Sequence, residues 1–413
     1  MISLNSSLIN IIILLSLIYF IKHLNPIKRT FEEQLLRFIK RNINDSLKIN
    51  NPNERLIPII NYVRLIKDKN LEPITFKKSI SLPKISFISP IYNKEKYLFQ
   101  IIKSVQHQKI QNFELIFVDD CSTDKSINII NEFQQNDTRI KLIKNKNNKG
   151  TLYSRCNGAL ISKGEYISFI DSDDIVLQDG FLNAYNYIKS KNLSMVQFHS
   201  VYQWNDSIVI NQGYYKYKNI IEQPFLSYIF YYNYRNRNGD EQNTALWDKL
   251  VERKTVLNSI NFIGDEYIHK KVKIENDVIL LFSIFHSSSS YQYINEIGYY
   301  YIRTNSDSIT NSWSDPDISN LIVKGILTNI NFLFEKTGDS SLEKMIPIFK
   351  LKQSFRRYKN CFKYSEKLNP MIKNIVDKLL NCTYVRYSEK ILIFNIELAI
   401  SYLQKNKDIQ KYI

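Results

Sequence analysis

The chain has 413 residues, 44% of them hydrophobic, and a formal net charge of +16 at pH 7. That length holds two or three domains, or one enlarged enzyme domain with additions, and enough apolar side chains for a sizeable core. The positive balance favours acidic partners, but the basic residues are dispersed with no dense Lys/Arg block, so nucleic acid is not expected as a partner. Cys121, Cys156, Cys361 and Cys382 form no C-x-x-C pair and the five histidines no H-E-x-x-H, so the cysteines read as free thiols and no zinc site is expected.

No side chain from Met1 to Ile21 is charged, and Leu8 to Ile21 is almost continuously apolar. Residues 1–25 are therefore expected to be a membrane anchor or signal segment, an uncleaved anchor being the better reading because no small-residue cleavage site follows. Lys22, Lys28 and Arg29 argue for a cytosolic catalytic side. Residues 26–83 read as a helical stem, with apolar helical spacing over Phe31–Ile39 and Arg55–Lys67.

From Lys84 strands and helices alternate. Strands are expected at Ile85–Ser89, Phe113–Val118, Ile140–Ile143 and Tyr166–Ile170. Helices are expected at Lys94–Gln108, after Ser122-Thr123-Asp124, and through Arg155, Asn157 and Ala159. This alternation predicts an α/β fold with a mostly parallel sheet and helices on both faces. In such sheets ligands sit at the C-terminal ends of the strands. Pro90-Ile91-Tyr92-Asn93, Asp119-Asp120-Cys121-Ser122-Thr123-Asp124 and Asp171-Ser172-Asp173-Asp174 all fall on that edge.

Asp171 and Asp173 are two apart, so in extended backbone their carboxylates leave one face of the chain. Such a pair repels itself unless a cation intervenes, and Mg2+ or Mn2+ is often held by one or two carboxylates while substrate phosphates complete the shell. The first strand–helix turn carries neither G-x-G-x-x-G nor G-x-x-x-x-G-K-[ST], which excludes the usual dinucleotide site and P-loop. Lys149 and Arg155 are placed to add positive charge opposite phosphates.

Ile85-Ser86-Phe87-Ile88-Ser89-Pro90-Ile91-Tyr92-Asn93, Val118-Asp119-Asp120-Cys121-Ser122-Thr123-Asp124, Asn148-Lys149-Gly150 and the Asp171–Asp174 box resemble, in order and spacing, glycosyltransferase family 2. The resemblance implies a Rossmann-like GT-A fold and inverting transfer from a nucleotide-diphosphate sugar, with a lean to UDP. It also implies a glycan, lipid or protein acceptor. Residues 84–200 would be the nucleotide-sugar-binding half, 201–310 the acceptor and catalytic half, and 311–413 a helical C-terminal region. Ala245-Leu246-Trp247-Asp248-Lys249-Leu250 resembles the acceptor-side segment, and Ile274-Glu275-Asn276-Asp277 the Glu-Asp box.

Carried over, Pro90 and Tyr92 line the base pocket with Asp119 and Asp120, Asp120 accepting from the base. Asp171 and Asp173 match the metal-binding D-x-D, Asp173 as the direct ligand. Asp277 is the expected general base, with Glu275 as its alternative. Family resemblance also places the catalytic domain of such anchored enzymes on the ER or Golgi lumenal side, the orientation expected here against the three positive charges.

Overall fold

The structure is a computed structural model that describes residues 52–68, 82–204, 207–211, 220–223, 245–272 and 277–302, with isolated positions at 71, 74–76, 226 and between 325 and 336. The expected anchor, Phe31–Ile39, the Tyr-rich runs at 214–217 and 228–234, Glu275, and most of 311–413 lie outside the described residues. Among the described residues no helix is long and apolar enough to cross a membrane. The chain divides into two compact units, Asp45–Phe332 and Met1–Asn44 with Leu333–Ile413, and the first contains everything described below.

In chain order the strands are β1 (Ile85–Ile91), β2 (Phe113–Asp119), β3 (Ile140–Lys144), β4 (Tyr166–Phe169), β5 (Ile175–Val176), β6 (Met195–Trp204), β7 (Ser207–Asn211), β8 (Ile221–Glu222), β9 (Lys249–Glu252) and β10 (Ser290–Ile302). The helices are α1 (Pro52–Lys67), α2 (Leu98–Gln106), α3 (Ser126–Asn136), α4 (Thr151–Ile161), α5 (Gly180–Lys191), α6 (Arg253–Ile263), α7 (Asp265–Ile268) and α8 (Asp277–Ser287). The expected strands and helices from Ile85 to Tyr166 are all present, with ends shifted by a few residues.

The strands join in one sheet ordered β3-β2-β1-β4-β9-β6-β10-β5, with β7 beside β6 and β8 beside β10. The pairings among β1, β2, β3 and β4 are parallel, as is β6 with β10. Those of β9 with β4 and β6, of β7 with β6, and of β5 and β8 with β10 are antiparallel. The sheet is thus mixed, not mostly parallel as expected. Strict strand–helix alternation with parallel pairing holds for the first four strands; beyond them helices still precede β6 and β10, but β5, β7, β8 and β9 enter antiparallel, joined by hairpins and reversals. The expected boundary at residue 200 falls inside β6.

Both faces are covered, which is why β1 and β2 read as apolar runs. Phe87 points to one face, where Phe181 of α5 meets it edge-on at 4.9 Å and itself meets Phe198 of β6 at 5.0 Å. Ile88 points to the other, against Gly158 of α4, where an added Cβ would come within 2.6 Å of the Ile88 side chain. Burying such rings and branched side chains supplies on the order of 1.5–3 kcal/mol each before chain entropy is charged.

Pro90 shapes the edge where the site forms. Ile88 O accepts the Ile170 amide, so by the two-residue alternation Pro90 also faces the β4 side, with no N–H to give. Pairing with β4 ends at Ile88 and Phe169. Past that point the chain turns away into Asp171–Asp174.

Candidate active site

Three loops meet at the C-terminal edge of the parallel strands. The turn after β1 and the turn after β2 clasp each other: Asn93 Oδ1 accepts the Thr123 amide at 2.8 Å and Ser122 Oγ accepts the Asn93 amide at 3.0 Å. Asp124 accepts the Glu95 amide at 3.0 Å, while Glu95 accepts the Lys125 amide at 2.9 Å. Asn93 takes a positive φ of 52°, a conformation Asn tolerates better than most residues. Tyr92 is 49% exposed at the rim, and Pro90 is half-buried behind it.

Asp119 and Asp120 are both buried. Asp119 accepts the Ser122 amide, closing its own turn. Asp120 Oδ1 accepts from Asn145 Nδ2 at 2.9 Å and the Lys149 amide at 2.8 Å, and Oδ2 accepts the Gly150 amide at 2.7 Å. Its carboxylate therefore fastens the loop that leads into α4, an acid at a helix N-terminus. Three of its roughly four acceptor positions are filled from within the chain.

The acid box and α8 converge on Arg155. From a buried position on α4, its Nη2 donates to Asp171 Oδ1 at 2.8 Å and its Nη1 donates to Asp277 Oδ1. Two acids 106 residues apart are thereby held on one guanidinium, whose fork suits that geometry. Asp171 and Asp277 remain partly open, at 30% and 31% side-chain exposure. Burial raises the Asp171 carboxyl; Arg155 pulls it back and Asp277 and Asp173 push it again, leaving it up at about 6. Burial works against the Arg155 charge, but the two acids outweigh it and hold its pKa above the usual value.

Two residues that sequence reasoning missed complete the site. Lys94 Nζ donates to Asp173 Oδ2 at 2.7 Å. Burial opposes the Lys94 charge, and the Asp173 and Asp171 carboxylates more than offset it. Tyr299 of β10 accepts the Asp171 amide on its hydroxyl at 2.9 Å and donates to Asp174 Oδ2 at 2.9 Å. Burial, then the nearby Asp174 and Asp171, push that phenol well above its ordinary pKa, so it stays a donor. Lys94 directly follows the Pro90–Asn93 turn, a usable signal. Tyr299 lies in a run of tyrosines, and only the register of β10 distinguishes it.

Trp247, in the segment that resembles the acceptor side, is core: it lies parallel to Tyr299 at 4.6 Å and Tyr301 at 5.6 Å. Beside it Lys249 Nζ donates to Asp248 Oδ1 and Ala245 O, both at 2.6 Å, and Gln197 of β6 donates to Asp248 Oδ2 at 2.6 Å. Burial lowers the Lys249 ammonium while Asp248 and, more weakly, Asp277 raise it.

No cluster of three or more His, Cys, Asp or Glu side chains arranged for a metal occurs among the described residues. A cation that uses substrate phosphates as ligands needs only one or two carboxylates, and Asp171 with Asp173 provides them.

Residues 86–247 match the family described as Glycosyl transferase family 2. An uncharacterized glycosyltransferase of Haemophilus influenzae is 43% identical over 116 residues, 28% of this chain and 46% of that protein. Glycosyltransferase GlyG of Streptococcus pneumoniae is 38% identical over 112 residues, 27% of this chain and 37% of that protein. The chain thus spans less than half the length of these relatives. S. aureus TarS residues 1–349, in its complex with UDP-GlcNAc, superposes with a TM-score of 0.55 at 19% identity, covering 80% of this chain and 89% of that one, a likeness of fold. Motifs, sheet edge and sequence match agree: residues 86–247 are similar to family 2 glycosyltransferases, on a sheet with the fold of TarS.

Proposed function

We propose that the protein is a metal-dependent, inverting glycosyltransferase that moves a sugar from a UDP-sugar to an acceptor hydroxyl on a glycan, lipid or protein. The observation that carries this reading is the meeting of Asp171 and Asp277 on Arg155, which puts a donor-side acid and a second acid from another element at one point. Pro90, Tyr92, Asp119 and Asp120 shape the nucleotide pocket, Asp120 largely through the loop that it fastens. Lys149 adds positive charge toward the diphosphate. Asp171 and Asp173 would hold Mn2+ or Mg2+, which supplies positive charge to the departing nucleoside diphosphate.

Acceptor hydroxyls are poor nucleophiles at neutral pH, so a carboxylate must take the proton as the new bond forms. Asp277 is that base: it is partly open, begins α8 and is oriented by Arg155. One base on the acceptor face and one leaving group on the other suffice for a single displacement with inversion. The lean to UDP rests on the family resemblance and on the UDP-GlcNAc complex of the similarly folded TarS. Membrane attachment through Leu8–Ile21, with a lumenal catalytic side, belongs to the same proposal; alkaline extraction of membranes and glycan occupancy at Asn44, Asn136, Asn192, Asn205 and Asn381 test it.

A second reading, a nucleotide-sugar-binding protein without turnover, is favoured by one observation: the Arg155 guanidinium already occupies an oxygen of Asp277. A panel of nucleotide sugars with Mn2+ or Mg2+, against a metal-free control, separates the two. Release of nucleoside diphosphate supports transfer; binding without release supports the second reading; neither binding nor release overturns both.

A further inference from the structure

Lys94 reaches from the turn after β1 across to the acid box and places its ammonium on Asp173 Oδ2 at 2.7 Å. The two side chains keep 22% and 21% exposure, so the pair lies at the mouth of the site. Arg155 differs in kind: its side chain is 4% exposed and it is anchored twice, on Asp171 and Asp277. Of the two cations that neutralise the D-x-D acids, one is fixed in the core and one ends a flexible stem at the solvent edge.

The backbone beneath Lys94 is held firmly. Its amide donates to Ser126 Oγ at 2.9 Å and the neighbouring Glu95 and Asp124 close the clasp between turns. Gln100 Nε2 donates to the Asp173 carbonyl at 3.1 Å, tying the same two segments a second time. Both the stem's origin and its target are thus fixed, and only the side chain between them is free to swing. Asp173 is also the acid assigned above as the direct metal ligand.

We propose that Lys94 is a built-in stand-in for the divalent cation: its ammonium neutralises Asp173 until Mn2+ or Mg2+ arrives, and the metal must displace it. This rests on the metal-dependent reading given above. The Lys94 ammonium N–H and a metal ion compete for Asp173 Oδ2, so metal affinity is set partly by how strongly this ion pair forms. Once displaced, the tethered ammonium stays at the same sheet edge, where the donor's diphosphate would lie.

The test is calorimetric titration of Mn2+ into the full chain at saturating UDP, comparing the unsubstituted protein with Lys94→Gln and Lys94→Arg, each checked for an unchanged thermal midpoint. Lys94→Gln should bind Mn2+ more tightly, by up to about fivefold, the upper range for a partly exposed ion pair, and Lys94→Arg should not. Equal or weaker binding by Lys94→Gln, with Mn2+ bound by the unsubstituted protein, overturns the inference and leaves the proposed function standing. UDP binding with no Mn2+ binding by any of the three proteins overturns both the inference and the metal dependence.

Discussion

The indole of Trp247 lies on the phenol ring of Tyr299 at 4.6 Å with 13° between the planes. The hydroxyl of that same Tyr299 receives the Asp171 amide and donates to Asp174. A ring packed in the core therefore sets the height of the acid loop above the sheet. Tyr299→Phe keeps the stack and removes the two polar contacts, so the cost should be about 1–3 kcal/mol, mostly from leaving buried groups unsatisfied. Urea unfolding measures this, and calorimetry should show weaker UDP binding in the presence of Mn2+.

Arg155→Lys keeps a charge but cannot grip two carboxylates with one planar fork. Turnover should fall by at least about tenfold because a small misplacement of reacting groups is expensive. Arg155→Met removes the charge and should destabilise the fold by roughly 3–5 kcal/mol, as when one partner of a buried pair is lost. Steady-state kinetics of the lysine variant and denaturant unfolding of the methionine variant check each part.

Asp277→Asn should leave UDP binding nearly unchanged and lower transfer by roughly 10²–10⁴-fold, the usual worth of a positioned general base. Single-turnover transfer and UDP calorimetry separate those quantities. If Glu275→Gln shows that loss instead, the base lies two residues upstream.

Glu114 supplies a pH dependence away from the site. Its carboxylate accepts from Ser86 Oγ at 2.6 Å, the Lys163 amide at 2.5 Å and the Gly164 amide at 3.2 Å, and it pairs with Lys141. Burial opposes its charge, but the hydrogen bonds from Lys141, Ser86 and Lys163 outweigh burial and hold the pKa below the ordinary value. A depressed carboxyl contributes stability that is present above the unfolded pKa and is lost as pH falls through the folded one. Unfolding free energy should therefore drop below about pH 4.3, the ordinary Glu value, and Glu114→Gln should flatten that acid limb.

The half of the fold from Ile85 to Phe169 was legible because each element announces itself locally: buried parallel strands read as apolar runs, and Gly164 and the Ser122–Asp124 turn punctuate them. The insertion of β9 between β4 and β6 was not, since Lys249–Glu252 is a short strand whose neighbours come from residues 166–167 and 195–197. The acids of the site could be named for the same local reason. Lys94 and Arg155 could not be given partners, because their contacts span 79 and 122 residues, and Tyr299 depends on the register of a strand that begins at Ser290.

That short β9 also governs how the site can open. It hydrogen-bonds to β4 on one side and to β6 on the other, so the donor strands and the strands carrying Trp204 and Tyr299 belong to one unbroken ladder. A hinge between two halves would have to tear that ladder. If the protein takes a nucleotide-sugar donor as proposed, the sheet would serve as a fixed floor, and opening would fall to the segments at its rim.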